Sequence, residues 1–260
     1  MATETLGGRL VVQDISVNYG GFRALDGVSM EVAPGSITGV IGPNGSGKTT
    51  LINAITGIQA ASGTIRLDGQ VLGRRSVPRR AKLGVARTFQ AIRLFQSMSI
   101  LDNIMLGAHR LMRAGLFESV LRTPRSRREI AQRRVRAEVL MSVFGPRLLP
   151  RMHQLAVNLS YANRRRVEIC RAFMAEPLLL LLDEPMAGMN PFETQELSEQ
   201  LPELQKVVPT SILLVEHKMD VINALCSHVY VLDHGVCIIE GDPRTVQSDP
   251  AVVEAYLGVE

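Results

Sequence analysis

Apolar and polar residues alternate over residues 10–17 and again over 28–32, the period-two pattern of strands that bury one face. Tyr19-Gly20-Gly21 reads as the turn between them, and Pro34-Gly35 leads into the unbroken apolar run 37–41. A run that short, bounded by turn residues, is expected to be a strand buried on both faces. Leu51, Ile52, Ile55 and Ile58 then share one face of a helix, with Gly57 as its stop. Residues 63–69 predict a strand closed by an Asp-Gly turn. Ser99, with Asp102 three residues on, predicts a capped helix start, and Leu101, Ile104, Met105, Ala108, Leu111 and Met112 supply its apolar face. Gly145-Pro146 and Pro150 end the helical stretch. Further buried strands are expected at 178–182 and 211–215, then a hairpin around Asp233-His234-Gly235 and a short helix over 246–257. Short strands ahead of the first helix point to a mixed β layer rather than a purely doubly wound sheet.

The pattern frames candidate chemistry. Between the run 37–41 and the first helix lies Gly42-Pro43-Asn44-Gly45-Ser46-Gly47-Lys48-Thr49, followed by Thr50. It fits the phosphate-binding pattern G-x-x-x-x-G-K-[ST] at every fixed position, in the strand-then-helix context the motif requires. Glycines let backbone N–H groups turn inward around a phosphate, and the helix N-terminus adds partial positive charge. Lys48 can reach the β- and γ-phosphates of a nucleotide, and the Thr49 hydroxyl can ligand Mg²⁺. The run 178–182 delivers Asp183-Glu184 to the carboxyl edge of the sheet, where α/β proteins place their ligands. There Asp183 can serve the Mg²⁺ shell and Glu184 can orient or deprotonate the water attacking a γ-phosphate. Neighbours on a strand point to opposite sides, so two roles for two residues is consistent. The run 211–215 similarly delivers Glu216-His217, and His217 can hydrogen-bond a γ-phosphate. Tyr19 has two readings, a ring stacked on an adenine or a half-buried tyrosine at a strand end.

Composition changes the picture only locally. A 260-residue chain, 46% hydrophobic and 21% charged, can bury a real core as one large or two small α/β domains. Trp is absent and aromatics are 4%, against a stacking platform for nucleic acid. Cys170, Cys226 and Cys237 lie in apolar surroundings without metal-ligand spacing, and are expected as reduced core thiols. Residues 1–9 lack a secretory pattern, and no apolar run approaches the length of a membrane span. The formal charge of +4 hides a crowd of arginines, Arg122, Arg125, Arg127, Arg128, Arg133, Arg134 and Arg136. Three readings stand for it: a solvated helix face, contact with anionic lipid head groups, or nucleic-acid binding.

Together these motifs resemble the ATP-binding subunits of ABC transporters over roughly residues 10–257. The resemblance implies an α/β P-loop cassette with a mixed β-sheet core, an antiparallel β subdomain and a helical subdomain. In one 1–260 domain, the core would take about 1–87 and 166–260 and the helical part about 88–165. It implies that Gly42 to Thr49 is the Walker A loop, that residues 178–183 are Walker B, and that Glu184 is the catalytic carboxylate. It further implies His217 as the switch histidine, Tyr19 as the adenine-stacking aromatic, and Gln90 as the glutamine reaching Mg²⁺ and the attacking water. The closer likeness is to the LivG-like subunits of branched-chain amino acid importers. Gly84-Val85-Ala86-Arg87-Thr88-Phe89-Gln90, Ile92-Arg93-Leu94-Phe95, Ala187-Gly188-Met189-Asn190-Pro191, Val215-Glu216-His217 and Glu254-Ala255-Tyr256-Leu257-Gly258 carry it. Urea and short-amide importers share much of this pattern. A soluble ABC ATPase acting on nucleic acid or ribosomes fits less well, since such proteins usually carry two cassettes or a long coiled-coil insertion. The implied partners are ATP, two membrane permeases, a second cassette and, indirectly, an extracytoplasmic solute-binding protein, with no nucleic acid. The implied place is the cytoplasmic face of the membrane.

One stretch departs from the family. The signature motif, Leu-Ser-Tyr-Gly-Gln in this branch, stands here as Leu159-Ser160-Tyr161-Ala162-Asn163. Ser160 keeps a hydroxyl for the γ-phosphate held by a partner cassette. Ala162 replaces a glycine: if that backbone needs positive φ, alanine strains it, and otherwise the cost is small. The departure suggests a heterodimer with unequal sites, in which Glu184 keeps this chain's own site hydrolytic.

Overall fold

A computed structural model describes residues 7–111 and 124–257 of the chain. These form two compact units, one of residues 7–90, 178–187 and 209–257, the other of the remainder between 91 and 208.

The first unit holds two sheets. In the four-stranded antiparallel sheet the order is β2-β1-β4-β5, with β1 Leu10–Tyr19, β2 Phe22–Val32, β4 Ser62–Leu67 and β5 Gln70–Val71. The alternation along β1 slips by one at Asp14, so Leu10 and Val12, then Ile15 and Val17, are buried. A bulge with Asp14 at φ 51 absorbs the extra residue and keeps all four on the core face. The Asp-Gly turn forms as expected, with Asp68 and Gly69 both at positive φ between β4 and β5.

The six-stranded sheet has the order β10-β9-β3-β8-β7-β6. Its strands are β3 Ile37–Ile41, β6 Val85–Arg87, β7 Leu179–Asp183, β8 Ser211–Val215, β9 His228–Asp233 and β10 Val236–Gly241. β9, β3, β8, β7 and β6 run parallel, and β10 closes the sheet antiparallel to β9. β3, β7 and β8 are buried at every position. Because they run parallel, their carboxyl ends reach one edge, which brings Gly42, Asp183-Glu184 and Glu216-His217 to the same side of the sheet. Helix α1, Lys48–Thr56, packs Leu51, Ile52 and Ile55 into a core shared with both sheets. It stops at Gly57 (φ 83), so Ile58 is not part of its apolar face and is 53% exposed. The buried Arg80, on α2 Val77–Lys82, donates to the carbonyls of Ala54 and Ile55 and closes the end of α1.

The second unit is helical: α3 Ile100–Met105, α4 Pro124–Val143, α5 Tyr161–Phe173 and α6 Pro191–Val207. The cap at Ser99 forms, its hydroxyl accepting the Asp102 N–H at 3.1 Å. α3 is shorter than its apolar pattern implied. It tightens into a 3₁₀ turn, Leu106–Leu111, where Gly107 lies so close to the Arg171 carbonyl on α5 that a Cβ would collide. α5 packs on α3, so it belongs with this unit through Phe173 rather than dividing near residue 165, and α6 joins it as well. In the arginine run, Arg133 pairs with Glu176 and Arg134 with Glu138, and Arg136 donates to the Val207 carbonyl. Arg127 and Arg128 face solvent. Met112, Arg122 and Gly258 lie outside the described residues.

The chain closes in the first unit with α7 Met219–Leu225, α8 Pro243–Gln247 and α9 Pro250–Leu257. The single helix expected over 246–257 is thus two, because Pro250 cannot continue α8 and instead opens α9. The three cysteines are free; Cys170 and Cys226 are buried and Cys237 is half-buried. Burial pushes the Cys226 thiol up to about 12.

Candidate functional site

β3 ends at Ile41 and the chain turns through Gly42 to Gly47 into α1. Gly42, Gly45 and Gly47 all adopt positive φ. At Gly42 a side chain would also collide with the Leu232 carbonyl on β9, so the loop's first residue must be glycine. Ser46 and Lys48 are buried, while Asn44, Gly45 and Thr49 are exposed and Pro43 and Thr50 are intermediate. Lys48 curls back over the loop, its Nζ donating to the Gly42 carbonyl at 2.8 Å and the Pro43 carbonyl at 2.7 Å. Burial lowers its proton affinity, opposed by the charges of Glu184 and Asp183. A desolvated ammonium bonded mainly to neutral oxygens, at the start of a helix, favours an anion.

Asp183, the last residue of β7, is 2% exposed and bonds Arg87 at 2.9 Å. Arg87 ends β6, separated from the phosphate loop's own β3 by β8 and β7, and also donates to Asn53 Oδ1 on α1 at 2.6 Å. This clamp was not foreseen from sequence; an arginine closing a strand beside a buried aspartate was the available signal. Glu184 holds φ 47, unusual for a residue with a side chain, and its N–H donates to the Val215 carbonyl at 2.9 Å. Its Oε2 accepts from Gln90 Nε2 at 3.1 Å, and its Oε1 lies 3.0 Å from His217 Nε2. Gln90, Glu184 and His217, read from three separate motifs, therefore meet around one carboxylate.

Glu216 is a second residue the sequence reading passed over. Its carboxylate is 2% exposed and accepts the Met186 N–H at 2.8 Å and the His217 N–H at 3.2 Å. It ties the turn after β7 to the end of β8. Burial raises its proton affinity above the usual carboxylate range, and those two N–H groups pull the other way. Tyr19 stands apart from these bonds, at the tip of the β1–β2 hairpin opposite Phe22, with both rings exposed.

Ser160, Tyr161, Ala162 and Asn163 belong to the second unit. Ser160 caps α5, its hydroxyl accepting the Asn163 N–H at 3.4 Å. Ala162 lies in the first turn of the helix with ordinary right-handed backbone, so the strain that positive φ would have imposed does not arise. Ala162 and Asn163 are buried, and Ser160 and Tyr161 are exposed. Asn163 Oδ1 accepts from Arg166, which also bonds Glu196 at 2.9 Å.

For Mg²⁺ the test is donor chemistry. Thr49, Gln90 and Asp183 offer oxygens, the atoms that hard cation takes. Among the described residues no cluster of three His, Cys, Asp or Glu could hold a metal alone. That agrees with an ion carried largely by phosphate oxygens, to which a protein adds one or two ligands. The residues fit the group.

A glycine-rich phosphate loop at the carboxyl edge of a parallel sheet, with two carboxylates at the end of the next strand but one, defines a P-loop nucleotide-binding protein. The chain belongs to the ABC transporter family, whose profile matches residues 25–187 and whose cassettes hydrolyse ATP to drive transport. A second profile, branched-chain amino acid ATP-binding cassette transporter, matches residues 238–260. The chain is 39% identical over 250 residues to the high-affinity branched-chain amino acid transport ATP-binding protein LivG of Escherichia coli (strain K12), covering 96% of this chain and 97% of that one. It is 35% identical to the corresponding protein BraF of Pseudomonas aeruginosa, covering 96% and 97%. Among solved structures, it resembles the ADP conformation of an ATP-binding cassette of an ABC transporter, with TM-score 0.82, 31% identity, and 96% and 99% of the two chains covered. A nucleotide-free cassette from an ABC transporter gives TM-score 0.81 at 32% identity, covering 96% and 99%. Among the described residues no helix is long and apolar enough to cross a membrane.

Proposed function

We propose that the chain is the ATP-hydrolysing subunit of an importer for branched-chain or related amino acids, held at the cytoplasmic face of the membrane by two permeases. The observation that carries this reading is the meeting of Gln90 and His217 on Glu184, at the sheet edge that also receives the phosphate loop. Lys48 leaves the Gly42 and Pro43 carbonyls for the β- and γ-phosphates of ATP, joined by backbone N–H groups of residues 45–50. Tyr19 takes the adenine face. Glu184 orients and deprotonates the attacking water; Gln90 and His217 fix its carboxylate, and His217 reads the γ-phosphate. Thr49 and Gln90, and Asp183 through water, would hold Mg²⁺, which would supply charge neutralisation on the phosphates. Ser160 serves the nucleotide of a second, non-identical cassette. Solute meets the permeases and an extracytoplasmic binding protein, never this chain.

The test is co-purification from solubilised membranes, followed by ATP turnover of the recovered complex with its binding protein. Two permeases, a second cassette and stimulation by leucine, isoleucine or valine are expected. Stimulation by urea instead would move the substrate class, and recovery of this chain alone would refute the importer reading.

A further inference from the structure

Both peptide groups that flank the Gly42 Cα are held. The Gly42 carbonyl accepts from Lys48 Nζ at 2.8 Å, and its N–H donates to the Tyr256 hydroxyl at 2.8 Å. Tyr256 lies in the last turn of α9, more than two hundred residues further along the chain. On the β9 side the site has no room for a Cβ, which would strike the Leu232 carbonyl.

α9 is built to deliver that hydroxyl. Asp249 Oδ1 accepts the Ala251 N–H at 2.8 Å, Pro250 opens the helix, and Val252 is buried beneath it. Beyond this anchor the helix and loop separate. A cavity of about 550 Å³ is lined by the loop from Pro43 to Ser46, by the β9–β10 hairpin and by Ala251, Glu254 and Ala255 of α9. Tyr256 is 39% exposed, and the part of its phenol turned to the loop is desolvated enough to raise its proton affinity.

We propose that Tyr256 is a positioning residue for ATP binding, which fixes the first peptide of the phosphate loop and so makes nucleotide affinity depend on the docking of α9. This rests on the reading of the loop as the ATP site. Residues 238–260, which hold Tyr256, are matched by a different profile from the one that matches residues 25–187. Tyr256 touches no reacting atom, so its loss acts on binding rather than on the chemical step.

The experiment is ATP titration, with Mg²⁺ present, of the full chain as wild type, Tyr256→Phe and Glu254→Gln. Thermal melting is recorded alongside, together with exchange of the Gly42 amide followed by ¹⁵N-glycine NMR. Tyr256→Phe keeps the ring and deletes one hydrogen bond. Its Kd is expected to rise about five- to tenfold, with Gly42 exchange faster and kcat in the assembled complex within about twofold. Glu254→Gln, on the same helix beside the cavity, should leave all three unchanged. Wild-type affinity and unchanged Gly42 exchange in Tyr256→Phe would overturn the proposal, as would equal weakening by both variants. Should the phenylalanine chain melt too early for titration, protection of Gly42 below its melting point decides alone. Failure of the wild-type chain to bind ATP removes the ATP reading itself and this proposal with it.

Discussion

Two polar assemblies in this chain are built on opposite plans. At the sheet edge of the first unit the reactive groups bond one another: Glu184 to Gln90 and His217, Asp183 to Arg87, Lys48 to its own loop. At the start of α5 the residues divide by depth. Ser160 and Tyr161 face outward, while Ala162 and Asn163 are buried, the latter in the chain Asn163–Arg166–Glu196. In the first assembly each polar group is held by another of the same assembly. The second presents a hydroxyl on a rigid support and has no reaction partner among its own neighbours. A substitution in the first should therefore change chemistry in this chain, and one in the second should change either an outward contact or the support beneath it.

The sharpest way to break that contrast is Glu184→Gln. The amide keeps the shape and the bond to one neighbour but cannot take a proton. ATP turnover of the assembled complex should fall by about 10²–10⁴ while ATP binding persists, read by phosphate release and equilibrium titration; near-normal turnover would contradict the assignment. Ser160 gives the next largest effect, and two substitutions separate its roles. Ser160→Ala removes cap and outward hydroxyl together, costing about 0.5–2 kcal/mol of stability. Ser160→Asp keeps a good cap while setting negative charge where a phosphate is read. The aspartate variant should melt near wild type yet turn over ATP at least about tenfold more slowly in the complex. If both variants lose turnover only in proportion to stability, the outward role is wrong.

Local chemistry decided how much was legible beforehand. Strands β3, β7 and β8 were readable because strands buried on both faces have no polar positions to confuse the period. The phosphate loop was readable because its glycines answer to a backbone requirement that no other residue meets. The convergence on Glu184 was not readable from spacing, since Gln90, Glu184 and His217 come together only through the parallel order of β6, β7 and β8; family likeness supplied it. Arg87, Glu216 and Tyr256 were missed as participants for a common reason. Each acts through a partner far along the chain, and a lone Arg, Glu or Tyr carries no periodic signal. Pro250 was the reverse case, a local signal that should have divided the last helix.

Glu216 sharpens the comparison through pH. Its carboxyl is raised above the usual range by burial, despite the Met186 and His217 N–H groups and nearby Lys218, with Glu184 adding to the rise. The folded chain then binds that proton more tightly than the unfolded chain. The contribution of this group to stability is therefore greatest at low pH and declines as pH climbs from the ordinary carboxylate range through the raised value. Glu216→Gln abolishes the titration. Across that window, urea midpoints should shift in favour of the variant as pH increases; a constant difference would mean that the carboxyl does not titrate there. Turnover should still suffer, because an amide cannot accept both N–H groups that set Glu184 and His217.

The smallest effect expected belongs to the position where the signature departs from its family. In a backbone demanding positive φ, Ala162→Gly would relieve strain and stabilise the chain. Ala162 instead sits in regular helix with its methyl buried, so glycine should cost stability. The loss should be about 1 kcal/mol from helix propensity, with some addition from the lost methyl contacts, measured as a lower urea midpoint at unchanged slope. Because the methyl points into the support rather than outward, turnover of the complex should stay within about twofold. Higher stability with glycine would mean that the helix start is strained after all. A large gain in turnover at unchanged stability would place the methyl in the nucleotide's path, and the division of this stretch into an outward pair and a buried pair would fail.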